Sequence, residues 1–154
     1  MIVGFAKKPG LCTGFFIAWC FPPSANADIA RLAILVVDHK SKLLDVRYVA
    51  GAHLWRQKVK INLEQLRKGE LLHEFLRNQQ PLWYQPLVEQ KDTGALHMME
   101  ASGAIFLAPL SLNKRLMGII YADAEAGDFN ARQFEEFQLI ANQLNLMMRF
   151  NAAS

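Results

Sequence analysis

The sequence contains only two cysteines, Cys12 and Cys20, and both lie near its beginning. The remaining residues therefore cannot form a disulfide among themselves, a thiolate nucleophile or a zinc site built on cysteine. This absence removes most cysteine-dependent activities from the main part of the chain.

An excess of charge of one sign is also lacking, because the formal net charge is only +3. Residues 31 to 91 carry 11 basic and 6 acidic side chains, whereas residues 92 to 154 carry 4 basic and 7 acidic ones. So mild an asymmetry is typical of a solvated surface. The sequence has no basic stripe with interleaved aromatic residues and no nucleic-acid-binding motif, so we expect no nucleic-acid partner.

No apolar run in the N-terminal region is long enough to span a membrane. The run from Leu11 to Phe21 is shorter than the roughly 20 residues that a membrane helix needs, so we expect no membrane partner. Lys7 and Lys8 precede this run and small residues follow it at 25 to 27, which is the layout of a secretory signal peptide. The alternative is an apolar segment that packs on the domain or on a second copy of it.

We expect residues 1 to 27 to form an apolar N-terminal segment that is kept in the folded protein. We expect residues 28 to 154 to form one domain, located in the cytoplasm. The chain of 154 residues, 52% of them hydrophobic, is long enough for one sizeable core. It is too short for two comfortable domains.

The most informative stretch runs from Ala104 to Asp123. It contains two apolar runs separated by the polar residues Asn113, Lys114 and Arg115. Each run is apolar at both odd and even positions, which is typical of strands that are buried on both faces. We therefore predict a hairpin near the middle of a covered sheet.

The other elements are predicted from shorter patterns. Strands are expected at Leu32 to Val37, from Leu44 onwards, and at Leu82 to Gln85. A helix is expected from about Gly69 to Asn78, and a short helix with Thr93 as its N-cap is expected to run to Ala101. Residues 52 to 68 favour a strand or a loop.

The C-terminal helix has the clearest start signal. Asn130 and Gln133 have the spacing of a capping box, and Phe129 and Phe134 have that of a hydrophobic staple. An apolar stripe then follows at helical spacing, and we expect it to lie against the sheet. The stripe comprises Phe134, Phe137, Ile140, Ala141, Leu144, Met147 and Met148.

Four segments carry a resemblance to a known family. They are RLAILVVD at 31 to 38, GELLHEFLRNQQPLWY at 69 to 84, APLSLNKRLMGIIYAD at 108 to 123 and DFNARQFEEFQLIANQL at 128 to 144. In content and order they resemble a GAF domain, and most of all the GAF regions found with HDOD domains in bacterial signalling proteins. The resemblance implies an α+β fold, in which helices pack on a central antiparallel sheet and a long amphipathic helix ends the domain.

The resemblance also implies a non-catalytic sensory or regulatory domain that binds a small molecule or relays a signal through its helices.

GAF domains that bind cyclic nucleotides share an Asn-Lys, Phe, Asp-Glu signature. Here Ala122 and Asp123 stand at the Asn-Lys place, and Gln133 and Phe134 at the Asp-Glu place. GAF domains that reduce free methionine sulfoxide or attach bilins depend on cysteines inside the domain, which this sequence lacks. We expect no catalytic activity and no cofactor.

The resemblance implies that the segment from Trp83 to Gly103 covers the face of the sheet on which GAF domains bind their ligands. Tyr84, His97 and Ser102 would supply the few polar groups that orient a ligand in a mainly apolar pocket. The predicted binding residues are Trp83, Tyr84, His97, Met98, Ser102, Phe106 and Tyr121. The alternative is a ligand-free interaction module whose pocket is filled by its own tryptophan and methionine side chains.

Two catalytic alternatives have little support in the sequence. His97 and Glu100 are three residues apart on a predicted helix and could share a metal ion, but no third ligand has a suitable spacing. Ser102 lacks the glycine spacing of a hydrolase nucleophile.

We expect the chain to form a homodimer through its N-terminal segment and the outer face of the C-terminal helix. The motive is exposed apolar surface, because Leu139, Leu146 and Phe150 lie away from the main stripe of the helix. GAF-like domains often pair through terminal helices, which points the same way. The alternative is a monomer in which residues 1 to 27 cover those side chains.

Overall fold

The computed structural model describes residues 2–3, 29–51, 58–101, 103–124, 127 and 130–153. Within them the chain forms one seven-stranded antiparallel sheet, two α-helices and two short 3₁₀ helices, which confirms the predicted α+β class. The strands are β1 (Ile2–Val3), β2 (Ile29–Asp38), β3 (Leu43–Gly51), β4 (Lys60–Asn62), β5 (Leu82–Tyr84), β6 (Ile105–Leu112) and β7 (Arg115–Ala124). The α-helices are α1 (Leu71–Asn78) and α2 (Ala131–Ala153), and the 3₁₀ helices are Leu63–Gln65 and Gly94–Met99.

The strand order is β1-β3-β2-β7-β6-β5, and β4 pairs with β3. β7 lies between β2 and β6, so the predicted hairpin occupies the inner part of the sheet. Asn113 and Lys114 form its turn, and both have positive φ angles, of 52° and 64°. Two successive residues of this kind make the tight connection whose twist matches that of paired strands. The prediction of an inner hairpin is confirmed.

The sheet is covered on both faces, and each face has its own core. Alternate residues of a strand point to opposite sides, so Leu32 and Ile34 of β2 join one core, while Ala33 and Leu35 join the other. The first core lies under α2 and includes Phe137. The second core lies under α1 and the 3₁₀ helix Gly94–Met99. We call these two sides the α2 face and the strap face, and we call residues 92–101 the strap.

Helix α2 begins as predicted. The Asn130 side chain accepts a hydrogen bond from the Gln133 backbone N–H at 2.9 Å, and the Gln133 side chain accepts one from the Asn130 N–H at 2.8 Å. Phe129, the other half of the predicted staple, lies outside the described residues. The centre of the predicted stripe is buried against the sheet, at Phe137, Ile140, Ala141 and Leu144.

The strap differs from its prediction in one detail. Its helix is the 3₁₀ helix Gly94–Met99, with Thr93 at the predicted N-cap position, but the Thr93 side chain does not cap the helix. Thr93 already has a helical backbone (φ −72°, ψ −20°), and its side chain makes no cap hydrogen bond. The Asp92 side chain accepts the Gly94 N–H at 2.9 Å instead. In the part of the chain that the structure describes, no helix is long and apolar enough to cross a membrane.

Candidate functional site

The first end of the strap is tied to the start of α1. Glu70 precedes α1 and is only 2% exposed, and its side chain accepts a hydrogen bond from the Ala95 N–H at 3.5 Å. Arg67 contacts the Glu70 carboxylate at 3.6 Å and that of Asp92 at 2.9 Å. Gly94 has a φ of +51°, and a Cβ there would lie 2.1 Å from Glu70 Oε2. Glycine is therefore required where the strap crosses the buried carboxylate.

The other end of the strap is tied to the sheet by Arg31. Arg31 Nη2 donates to the carbonyl oxygen of Met99 at 2.6 Å, and Met99 is fully buried. The same guanidinium donates to Asp123, from Nε at 3.1 Å and from Nη2 at 2.5 Å. The hydroxyl of Tyr121 donates to Asp123 Oδ2 at 2.5 Å. We call Arg31, Tyr121 and Asp123 the buried polar cluster.

The cluster owes its position to the pairing of the two inner strands. Arg31 of β2 stands opposite Asp123 of β7, and Tyr121 lies two residues before Asp123 on the same side of its strand. The side chains of Arg31 and Asp123 therefore lie next to each other on neighbouring strands, on the same face of the sheet.

Both acidic members of the cluster have shifted protonation equilibria. Burial raises the pKa of Asp123, while the hydrogen bonds and charge of Arg31 and the hydrogen bond from Tyr121 act in the opposite direction. Burial, and then the negative charge of Asp123, raise the pKa of Tyr121 well above its usual value of 10.0. Asp123 is completely buried and Arg31 is 8% exposed. A buried ion pair contributes little net stability, because both charges lose their hydration. Buried ionisable groups whose pKa values are shifted in this way are candidates for a functional site.

Of the predicted binding residues, two belong to the core beneath the strap. Tyr84 is 6% exposed and Tyr121 is fully buried, and both pack in the same core as Leu96 and Met99 of the strap. His97 is exposed, as is Met98, which is 48% exposed. Both lie on the outer side of the 3₁₀ helix, whose inner side buries Leu96 and Met99. Ser102 lies outside the described residues.

Trp83 and Phe106 are placed on the opposite side of the sheet, on the α2 face. Trp83 is adjacent to Tyr84 and Phe106 is adjacent to Ile105, and neighbouring residues of a strand point to opposite faces. Their rings form an aromatic cluster with Phe134 and Phe137, with centroid distances of 5.0 to 6.0 Å. The prediction that Trp83 and Phe106 share one pocket with Tyr84 and Tyr121 is therefore wrong. The sheet separates the two pairs.

The structure adds no third ligand to the predicted His97 and Glu100 pair. Both side chains are exposed. Among the described residues, no group of three histidine, cysteine, aspartate or glutamate side chains could hold a metal ion.

Arg31 and Asp123 were absent from the predicted site, although the sequence carries a signal for each. Each is a charged residue near one end of a strand whose central residues are apolar and should be buried. A charged residue in that position needs a partner of opposite charge. Here they supply that partner for each other, across 92 positions of sequence.

No protein-family model and no curated protein matches the chain. Solved structures match its fold. The second GAF domain of DevS from Mycobacterium smegmatis has a TM-score of 0.65 and 16% identity, with 92% of this chain and 95% of that chain covered. The GAF domain of a two-component sensor histidine kinase from Bacillus halodurans has a TM-score of 0.61 and 12% identity, with 92% and 93% covered.

Enzymes are also among the similar structures. Free methionine-R-sulfoxide reductase from Neisseria meningitidis, solved in complex with its substrate, has a TM-score of 0.64 and 14% identity. The match covers 92% of this chain and 79% of that one. The chain therefore has the GAF fold, which serves both sensor domains and reductases. At this level of identity the similarity establishes the fold alone.

Proposed function

We propose that the chain is a non-catalytic sensory or regulatory domain of a cytoplasmic bacterial signalling protein, and that it binds a small molecule on the strap face. The GAF domains of DevS and of the histidine kinase support the sensory part of the proposal. The association with an HDOD domain stays a prediction of the sequence resemblance.

The observation that carries the proposal is the buried polar cluster beneath the strap. Arg31 joins the strap to the sheet through the Met99 carbonyl, and it pairs with Asp123 in the same place. A ligand that competed for Arg31 or Asp123 would loosen this end of the strap. A binding event on this face would thereby become a change in the position of residues 92–101.

The choice of a sensor over a reductase depends on the cysteines. The reductases of this fold depend on cysteines inside the domain, and residues 28 to 154 of this chain contain none. The polar cluster could not replace them, because a guanidinium, a carboxylate and a phenol with a raised pKa include no comparable nucleophile.

Native mass spectrometry of the freshly purified full chain tests the proposal, together with thermal shifts across a panel of metabolites. We expect mass spectrometry to detect a bound molecule, or a metabolite to raise the melting temperature. In Tyr121→Phe this binding or stabilisation should be weaker. This variant keeps the ring and removes only the hydroxyl that contacts Asp123. Glu135→Gln, on the exposed surface of α2, is the control and should respond like the unmodified chain. A chain that is empty and responds to no metabolite would contradict the proposal.

A second candidate function is a homodimerising interaction module, and it has its own observation. Leu139, Gln143, Leu146 and Phe150 follow one another on α2 at intervals of four, three and four residues, which is the spacing of a coiled-coil seam. Leu139 is 61% exposed, Leu146 is 52% exposed and Phe150 is 69% exposed. A second copy of α2 is the partner that such a self-complementary seam fits. Of the N-terminal segment, Ile2 and Val3 are described and pair with β3, whereas the predicted contribution of Leu11 to Phe21 lies outside the described residues.

Sedimentation of the full chain at several concentrations tests the dimer. Leu139→Glu combined with Leu146→Glu should convert a dimer into a monomer, because it places charges inside the seam. Asn142→Glu adds one charge at a neighbouring exposed position and should weaken the dimer much less. An unmodified chain that stays monomeric at high micromolar concentration would rule the dimer out.

A further inference from the structure

A second feature of the fold lies on the α2 face, away from the strap. The C-terminal half of α2 does not fill the space above the sheet, and a cavity of about 280 Å³ lies between them. Ile34 and Val36 of β2 line it from the sheet, and Leu144, Met147 and Met148 line it from the helix. None of these residues belongs to the buried polar cluster or to the predicted binding set.

The chemistry of the described residues of the cavity wall favours one class of ligand. No charged side chain lines it within the described part of the chain, and its polar side chains there are those of Tyr48 and Asn151. An ion entering this space would lose its hydration without gaining a partner of opposite charge. An uncharged apolar molecule has no such hydration to lose, and binding would remove its apolar surface from water.

The size of the cavity narrows the class further. An engineered apolar cavity of about 150 Å³ in another protein holds one benzene molecule. A volume of about 280 Å³ has room for a molecule of two fused rings. Three methionines border the space, Met117, Met147 and Met148, and methionine side chains adapt readily to the shape of a ligand.

We propose that this cavity is a binding site for an uncharged, mainly apolar small molecule of about bicyclic size. The ligand would contact the sheet at Val36 and the helix at Leu144, so that it bridges the two layers. The site stands apart from the proposed function, because it lies on the other face of the sheet from the strap. Either site can fail without the other.

The methionines provide the test and its internal control. In the full chain labelled with ¹³C at the methionine methyl groups, indole is titrated as a neutral bicyclic probe. We expect the NMR signals of Met117, Met147 and Met148 to shift and saturate. Met98 is exposed on the strap and Met99 is buried on the strap face, so their signals should stay in place. Indole-3-acetate, which carries a carboxylate, should bind at least about tenfold more weakly.

Two variants connect the signal to the cavity. Val36→Phe extends a half-buried lining side chain into the space and should weaken indole binding by about tenfold or more. Leu139→Phe adds an aromatic ring on the exposed side of the same helix and should leave the binding unchanged. If Val36→Phe does not fold, Met147→Phe provides the same test from the helix side.

Three results would overturn the proposal. Signals of all the methionines that shift together without saturation would show non-specific partitioning. Contacts between the Met147 or Met148 methyl group and aromatic protons of residues 4 to 28 in the free protein would show that the chain fills the space itself. A methionine spectrum that depends on protein concentration instead of indole would show that a second copy fills it.

Discussion

The two faces of the sheet are closed in different ways. On the α2 face a 23-residue helix lies over an apolar core in which Phe106, Phe134 and Phe137 pack ring against ring. On the strap face part of the cover is a six-residue 3₁₀ helix, and its ends are held by polar contacts to Glu70 and Arg31. A short 3₁₀ helix has little stability of its own, so its position depends on those contacts and on the burial of Leu96 and Met99. The strap is therefore the cover on which the proposed ligand would act.

Because the two faces are closed differently, they should respond to different kinds of ligand. Apolar packing depends on contact area and is insensitive to charge, whereas the buried polar cluster depends on pairing and protonation. A ligand of the kind proposed for the strap face would therefore need charge or strong hydrogen-bonding groups. A ligand of the cavity proposed on the α2 face would need apolar ones.

The largest expected effect comes from breaking the pair that distinguishes the strap face. Arg31→Met leaves the Asp123 carboxylate buried without its cation, and we expect a loss of about 3 to 5 kcal/mol in the free energy of unfolding. Asp123→Leu strands the Arg31 guanidinium in the same way. The double variant should be much more stable than the sum of the two losses implies, because no charge is left unpaired. Urea unfolding at pH 7 measures all three.

The control for this cycle is a salt bridge at the surface. Arg132 contacts Glu136 at 3.2 Å on the first turns of α2, and the Arg132 side chain is 86% exposed. Arg132→Met should therefore change the free energy of unfolding by no more than about 0.5 kcal/mol. If Arg31→Met cost as little as Arg132→Met, the buried pair would not be what holds the strap face.

The fold could be predicted from the sequence because its signals are local. The hairpin from Ala104 to Asp123 is marked by two apolar runs and one polar turn, and the start of α2 is marked by Asn130 and Gln133. Each pattern lies within about twenty residues. Pairing and capping chemistry determines what such a pattern forms.

The site could not be predicted in the same way, because its contacts are distant in sequence. Arg31 and Asp123 meet only after β2 and β7 pair, and no local pattern announces which strands become neighbours. The predicted set also joined Trp83 to Tyr84, although adjacent strand residues face opposite ways. Once residues 82 to 85 are predicted to form a strand, this alternation alone assigns Trp83 and Tyr84 to different faces of the sheet.

An intermediate effect is expected from a polar contact on the otherwise apolar α2 face. The Asn145 side chain accepts the Ser111 N–H at 2.9 Å and donates to the Pro109 carbonyl at 2.9 Å, so that it fastens α2 to β6. Asn145→Ala should lower the free energy of unfolding by about 2 kcal/mol, because two backbone groups of the strand lose their partner. Asn142→Ala, at an exposed position one turn earlier, should have almost no effect. Equal effects of the two substitutions in urea unfolding would show that Asn145 does not fasten the helix.

The smallest expected effect is a difference in the alkaline response that only the strap face should show. The pKa of Tyr121 lies well above 10.0 in the folded chain, because the hydroxyl is buried and Asp123 is negative. The unfolded chain loses this proton near pH 10, while the folded chain keeps it. Because the folded state then binds the extra proton, stability falls as pH rises above about 10.

Tyr121→Phe removes the titrating group and should therefore flatten this fall. The difference in slope cannot exceed about 1.4 kcal/mol per pH unit, the value for a single proton. Urea midpoints at pH 8, 9, 10 and 11 measure it in both proteins. At pH 8 Tyr121 is protonated in both states, so the two stability curves should run parallel there and converge only above pH 10. Curves that stayed parallel to pH 11 would show that Tyr121 ionises as readily in the folded chain as in the unfolded one. The strap face would then lack the closed, low-dielectric character that sets it apart from its hydrated surroundings.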